Sequence, residues 1–176
     1  MELFSIPGVG GIIERRVDGV DHILVQDRFK EDAPLEQGLI EIPAGKVRQY
    51  ENVFECLRRE IKEETGLEIV EILGEQDSEV TVLNGYRVVN YTPFNSSQNT
   101  DGYYPIMVQT FICRAQGDLL IDSNETKNLR WISLTELSSL LNEQESSFYP
   151  MHVITLRKYL KMKNGTTPTL DADGDL

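Results

Sequence analysis

The chain has 176 residues, 40% of them hydrophobic, which suits one compact domain with a sizeable core better than two domains or a disordered polymer. Lys plus Arg number 17 against 29 Asp plus Glu, a formal net charge of −12, and that sign argues against binding the phosphate backbone of nucleic acid. No run approaches the roughly 18 consecutive apolar residues of a membrane span, and Met1 to Gly10 lacks the basic region of a secretory signal, so a cytoplasmic protein with no membrane partner is expected.

In chain order, Phe4 to Ile13 and Val20 to Val25 read as two strands joined through a tight turn at Asp18-Gly19. Leu39 to Ile42 reads as a third, ending at Pro43-Ala44-Gly45. From Asn52 to Thr65, Val53, Phe54, Leu57 and Ile61 recur at helical spacing, with Asn52 and Glu55 placed as N-cap and third-position partner. Gly66 stops that helix as a left-handed C-cap. Leu67 to Leu73, Glu79 to Leu83, Arg87 to Tyr91 and Ile106 to Cys113 read as strands separated by Asn84-Gly85 and by Asn95 to Gly102, which predicts a mostly antiparallel or mixed sheet. Leu129 to Ile132 is a last strand, after which Ser133-Leu134-Thr135-Glu136 has capping-box spacing and opens a short helix. A final helix spans Pro150 to Lys161. One domain over residues 1–162 is therefore expected, followed by a polar, mobile tail over 163–176. Cys56 and Cys113 fall in apolar-patterned segments and read as reduced core thiols, and His22 and His152 show no ligand spacing.

The central helix gathers three glutamates. At 100 degrees per residue Glu60, Glu63 and Glu64 share one arc, while Arg58, Arg59 and Lys62 fall mainly to its sides and rear, leaving the carboxylates mostly uncompensated. Glu63 and Glu64 also lie in the last turn, where the helix dipole favours cations. Two carboxylates ~5 Å apart repel by about 3 kcal/mol at an effective dielectric of 20, and a divalent cation removes that repulsion. Leu57 and Val53 project close to Glu64, so the cluster borders the apolar face, at a cleft edge suited to a hard cation such as Mg2+. On the residues alone, a metal site and a merely acidic helix remain equally open.

The run Gly45, Glu51, Arg59-Glu60-Ile61, Glu63-Glu64, Gly66-Leu67 fills every defining position of the Nudix box, and on it the chain resembles the Nudix hydrolase family. The flanks are similar too: the strand into Pro43-Ala44-Gly45, and Leu129 to Ser133 leading into Leu134-Thr135-Glu136-Leu137. The resemblance implies an α/β Nudix fold, an alpha/beta/alpha sandwich with a mixed sheet and a loop-helix-loop catalytic motif. It implies Mg2+, with Mn2+ as an alternative, held by Glu60, Glu63 and Glu64 and the Ala44 carbonyl. Arg59 would hold the glutamates in position, and Glu51 would support them. Catalytic roles fall by the same resemblance to Glu60, Glu63, Arg59 and Glu125. The base that removes the proton is either Glu60 or Glu125, the latter in the loop Ile121 to Asn128. Glu63→Gln and Glu64→Gln are each expected to lower turnover at least ~100-fold without unfolding the chain.

The implied reaction is Mg2+-dependent hydrolysis of a diphosphate linkage in a nucleoside diphosphate derivative. Glu41 to Lys46 resembles the corresponding stretch of ADP-ribose and nucleotide-sugar pyrophosphatases, although the proline such enzymes carry after the box is absent, with Thr81 and Val82 in that region. The alternatives are a nucleoside triphosphate or dinucleoside polyphosphate pyrophosphohydrolase, and a sensor or regulatory module that keeps the fold without the chemistry. An isopentenyl diphosphate isomerase is disfavoured because Cys56 lies inside the box helix. Arg28 and Lys30 are candidate phosphate contacts against a solvated alternative, with Arg28 and Tyr104 the chosen substrate-binding pair. Tyr91, Phe94, Tyr103 and Tyr104 are candidates for stacking on a base, against ordinary packing. The partner expected is a small nucleotide, and the resemblance admits a homodimer.

Overall fold

The computed structural model describes residues 2–31, 33–121 and 126–165. Strand β1 (Ile6–Val17) turns through Asp18-Gly19, both at positive φ, into β2 (Val20–Arg28), the left-handed pair that a two-residue hairpin with the natural strand twist requires. There follow β3 (Ile40–Glu41), β4 (Ala44–Lys46), helix α1 (Val53–Thr65), β5 (Glu68–Ile72), β6 (Glu79–Leu83), β7 (Tyr86–Asn90), β8 (Asn95–Gln98), β9 (Ile106–Gln116), β10 (Thr126–Ser133), α2 (Leu134–Glu143) and α3 (Pro150–Lys163).

Among the described residues the main sheet has eight strands in the order β10-β2-β1-β9-β5, with β3 on β2, β4 on β1 and β8 on β9. β1 and β9 pair in parallel over Ile6 to Glu14 against Ile106 to Arg114, and the other pairings are antiparallel. The sheet is therefore mixed, as expected. A parallel pair needs a long crossover, and here α1 lies within it. β6 and β7 form a separate hairpin, with Asn84 and Gly85 at positive φ.

Two apolar layers sandwich the sheet. On one face Ile12, Ile23, Val25, Ile112 and Ile132 meet Leu137 and Leu141 of α2 and Leu156 and Tyr159 of α3. On the other, Val9, Ile13, Leu24 and Phe111 meet Phe54, Cys56, Leu57 and Ile61 of α1. Strand alternation assigns neighbours such as Ile12 and Ile13 to opposite layers, which is the expected alpha/beta/alpha sandwich. Cys56 and Cys113 are free and buried in the α1 layer.

Two short strands depart from the sequence reading. Ala44–Lys46 lies past Ile42, where the sequence ends the third strand, yet it pairs with Gly8 to Gly10 of β1. Asn95–Gln98 reads as a connection, but it lines up on β9, and the Asn95 amide donates to Thr155 Oγ1 of α3 at 2.8 Å. Tertiary hydrogen bonding overrides weak strand propensity at both. The last helix runs to Lys163, whose ammonium meets Glu14 at 3.1 Å and Asp21 at 3.2 Å. Among the described residues no helix is long and apolar enough to cross a membrane. Glu125, and the tail from residue 166 on, lie outside the described residues.

Candidate active site

Helix α1 starts where the Asn52 side chain accepts from the Phe54 amide at 2.9 Å, and it ends at Gly66 with φ 81°. Its strongest electrostatic feature is Arg59. The guanidinium grips Glu51 with two bonds, Nε to Oε1 at 2.7 Å and Nη2 to Oε2 at 2.8 Å, and donates from Nη1 to Glu60 at 2.5 Å and to Glu63 at 3.3 Å. Nη2 also reaches the Lys46 carbonyl at 3.2 Å, tying the helix to β4. Hydrogen bonds from Arg59 hold the Glu51 carboxyl down to about 2, and Glu51 in turn raises the Arg59 guanidinium. The expectation that the glutamates are mostly uncompensated is thus corrected for Glu60 and Glu63. A helical wheel fixes Cβ directions, whereas the long Arg59 side chain reaches round to Glu60 and Glu63.

The three box carboxylates occupy different environments. The Glu63 side chain is 54% exposed and lies 3.7 Å from Arg48. Glu60 is mostly covered, and it occupies the space beside Gly45 where a Cβ would sit, so this glycine is needed for room. Glu64 is buried, and its Oε2 accepts from the Ala44 amide at 3.1 Å and from Gln26 Nε2 at 3.0 Å. Gln26, fully buried on β2, also donates to Glu41 at 3.3 Å, and Glu41 accepts from Arg28 Nη1 at 3.0 Å. Arg28 Nε closes the series on Glu36 at 2.7 Å. The result is a buried polar chain Glu36–Arg28–Glu41–Gln26–Glu64.

Burial, reinforced by the charge of Glu41 and opposed by Gln26, Lys30 and the Ala44 amide, pushes the Glu64 carboxyl up to about 8. Its ordinary value is 4.5, so the folded value lies above the unfolded one. The associated stability is complete below the unfolded value and is lost as pH rises through about 8. Glu41 is raised in the same direction by burial. His152, which burial and Arg28 lower to about 3, acts oppositely only below its ordinary 6.5. Metal-free protein is therefore expected to lose on the order of 2 kcal/mol between about pH 6.5 and 8. Urea unfolding in chelator measures this, and a flat profile through that window would remove the assigned burial cost of Glu64.

A cavity of about 170 Å³ opens beside this chain, large enough for one ring system. Ala44, Gly45 and Lys46 line one side, and Arg28, Lys30, Glu36, Glu41, Tyr103, Tyr104, Tyr149 and His152 line the rest with a few apolar residues. Arg28 is buried, its guanidinium committed to two carboxylates and stacked 4.3 Å from the Tyr149 ring centroid, so the solvated alternative for it is excluded. Tyr104 lies under the Lys46 ammonium at 4.9 Å. The other stacking candidates separate. Tyr91 packs edge-on with Phe54 in the core and Phe94 packs with Tyr159, whereas Tyr103 is exposed at the cavity. Sequence reasoning missed Gln26, Tyr149 and His152 here, because only the fold brings β2, α3 and the loop before it together.

The donor chemistry fits a hard divalent cation: every candidate ligand is a carboxylate or carbonyl oxygen, and Glu64 is already desolvated beside a second buried carboxylate. The side chains do not converge in this arrangement. Among the described residues no three acidic, His or Cys side chains gather closely enough to hold a metal ion, since Glu60 is turned onto Arg59 and Glu63 faces outward.

Residues 5–152 match the family described as the NUDIX domain. Nudix hydrolase 8 of Arabidopsis thaliana is 28% identical over 129 residues, covering 73% of this chain and 30% of that protein, so the chain spans less than a third of that relative's length. Among solved structures, the NUDIX domain of Shewanella oneidensis NrtR complexed with ADP ribose superposes with a TM-score of 0.63 at 12% identity, over 92% of this chain and 90% of that one. A MutT NUDIX hydrolase from Burkholderia pseudomallei gives 0.59 at 20% identity, over 87% and 96%. An Ap4A hydrolase from C. elegans gives 0.53 at 17%, over 91% and 98%. At these identities the structural likeness speaks for the fold alone.

Proposed function

The chain belongs to the Nudix domain family, and from that premise we propose that it hydrolyses a diphosphate linkage in a nucleoside diphosphate derivative, using Mg2+ or Mn2+ held by Glu60 and Glu64. One observation carries this reading: strand β4 lines the cavity and, through the Ala44 amide, also holds the buried Glu64 carboxylate. A ligand in the cavity would lie against the strand that fixes the acidic centre.

A diphosphate resists water because its oxygens repel a nucleophile, so catalysis needs positive charge and an oriented water. When bound, Mg2+ supplies charge against the phosphate oxygens and acidity to a water. Glu60 and Glu64 are the holding residues, with Glu63 and the Ala44 carbonyl as further ligands. Arg59 positions Glu60 and Glu63 and anchors both to Glu51. Lys46, above Tyr104, presents a cation at the cavity wall beside Gly45. Proton removal belongs to Glu60 or Glu125, and comparing Glu60→Gln with Glu125→Gln in pH–rate profiles identifies which limb each controls.

ADP-ribose or a nucleotide sugar is the favoured substrate. Tyr103, Tyr104 and Tyr149 offer aromatic surface to a base, and the NrtR domain, of similar fold, is seen in complex with ADP ribose. Incubating the protein and Mg2+ with ADP-ribose, nucleotide sugars, dinucleoside polyphosphates and nucleoside triphosphates, with products identified by mass, tests the proposal. Cleavage of ADP-ribose or a nucleotide sugar into two monophosphates is expected. Saturable binding without cleavage of any of these would replace the enzyme by a sensor.

A further inference from the structure

Gln26 occupies a position where a strand would ordinarily place an apolar residue. It lies two residues along β2 from Leu24, on the same face as that residue, which packs in the α1 layer, and is itself fully buried. A buried amide is costly unless its polar atoms are satisfied. Here Nε2 donates to both Glu41 Oε1 and Glu64 Oε2, while Oε1 accepts no hydrogen bond among the described residues. The orientation is fixed by chemistry: rotating the amide would set its oxygen against two acceptors. The residue thus leaves one lone-pair atom unsatisfied in order to hold two carboxylates.

We propose that Gln26 is a positioning residue for the cation site, fixing the Glu64 carboxylate between β2 and β4 and separating it from Glu41. Two donors from different elements, Gln26 Nε2 and the Ala44 amide, converge on the same oxygen of Glu64. That pair defines the rotation of the carboxylate more tightly than either alone. Glu41 is held on its other side by Arg28, a wall of the cavity, so Gln26 joins the cavity wall to the box helix without lining the cavity itself. This inference rests on the functional reading above. Groups that orient metal-ligating side chains typically change metal affinity 10- to 100-fold when removed.

The test is calorimetric titration of the chelator-stripped full chain with MnCl2, needing no substrate. Wild type is expected to bind saturably. Gln26→Met keeps the volume and removes the amide, and Gln26→Asn keeps the amide but shortens its reach. Each is expected to weaken Mn2+ at least ~10-fold while still unfolding cooperatively, a loss that a merely structural role would not produce in folded protein. Folded variants binding Mn2+ within ~2-fold of wild type would overturn the assignment. Failure of both to fold would also overturn it, by making Gln26 a structural residue. Wild type that binds no Mn2+ fails differently, since it overturns the functional reading before any variant is compared.

Discussion

Glu64→Gln is expected to lower Mg2+-dependent turnover at least ~100-fold and, in metal-free protein above about pH 8, to raise stability. The two effects have one origin. Glu64 is an ionisable group buried beside Glu41, and burial lifts its carboxyl to about 8. At higher pH the charged form opposes folding, and the neutral amide of Gln removes that opposition while keeping the volume. Gln can still accept from Gln26 and the Ala44 amide through its carbonyl. What it loses is the negative charge that a cation needs. Steady-state kinetics and urea unfolding in chelator on the same preparation measure both, and a variant that loses activity together with stability at high pH would point to misfolding. Glu63→Gln is the comparison: its carboxylate is half exposed, so activity should fall with no gain in stability.

The second large effect is expected at Gly45. Its φ is outside the left-handed region, so the backbone admits an L side chain. A Cβ there would overlap the Glu60 carboxyl group, the flexible end of that side chain. Gly45→Ala therefore displaces Glu60 rather than the main chain, breaking its 2.5 Å contact with Arg59. Activity should fall on the order of 10- to 100-fold, with a stability change of about 1 kcal/mol. Turnover near wild type would show that the position of Glu60 against Gly45 is irrelevant to the reaction. A loss of folding would place the role of Gly45 in the backbone.

The contrast between these sites and their surroundings explains what the sequence could reveal. The box helix is local: N-cap, apolar spacing, glutamates and Gly66 fall within one short segment, so the pattern directly foretells Asn52 as cap and Gly66 as the left-handed stop. The sandwich follows because alternating apolar strands and amphipathic helices admit few layer arrangements. The buried chain from Glu36 to Glu64 is non-local, its links joining β2 to β3 and to α1. Gln26 and Arg28 fall beyond Val25, where the sequence ends the second strand, and only the fold continues β2 through them and makes them interior. Arg59 holds Glu60 and Glu63 as the resemblance implies, whereas the helical projection alone places it to the side of them, because it takes no account of side-chain length. Tyr91 and Phe94 look like Tyr104 in sequence, yet they pack, partly buried, against aromatics at the edge of the core. His152 carries no spacing signal at all, because its cavity neighbours come from β2, β3, β4 and β9.

The proposed cation site at the end of α1, with Glu60 and Glu64 as the residues that would hold the ion, would support hydrolysis of a diphosphate. Its most direct test is a Mg2+ titration of product release, followed by mass, for wild type and Glu64→Gln against the same set of nucleoside diphosphate derivatives. Saturable Mg2+-dependent cleavage by wild type, abolished by chelator and reduced at least ~100-fold in folded Glu64→Gln, is the expected result. Cleavage that persists in excess chelator, or near wild-type turnover in Glu64→Gln, would contradict it.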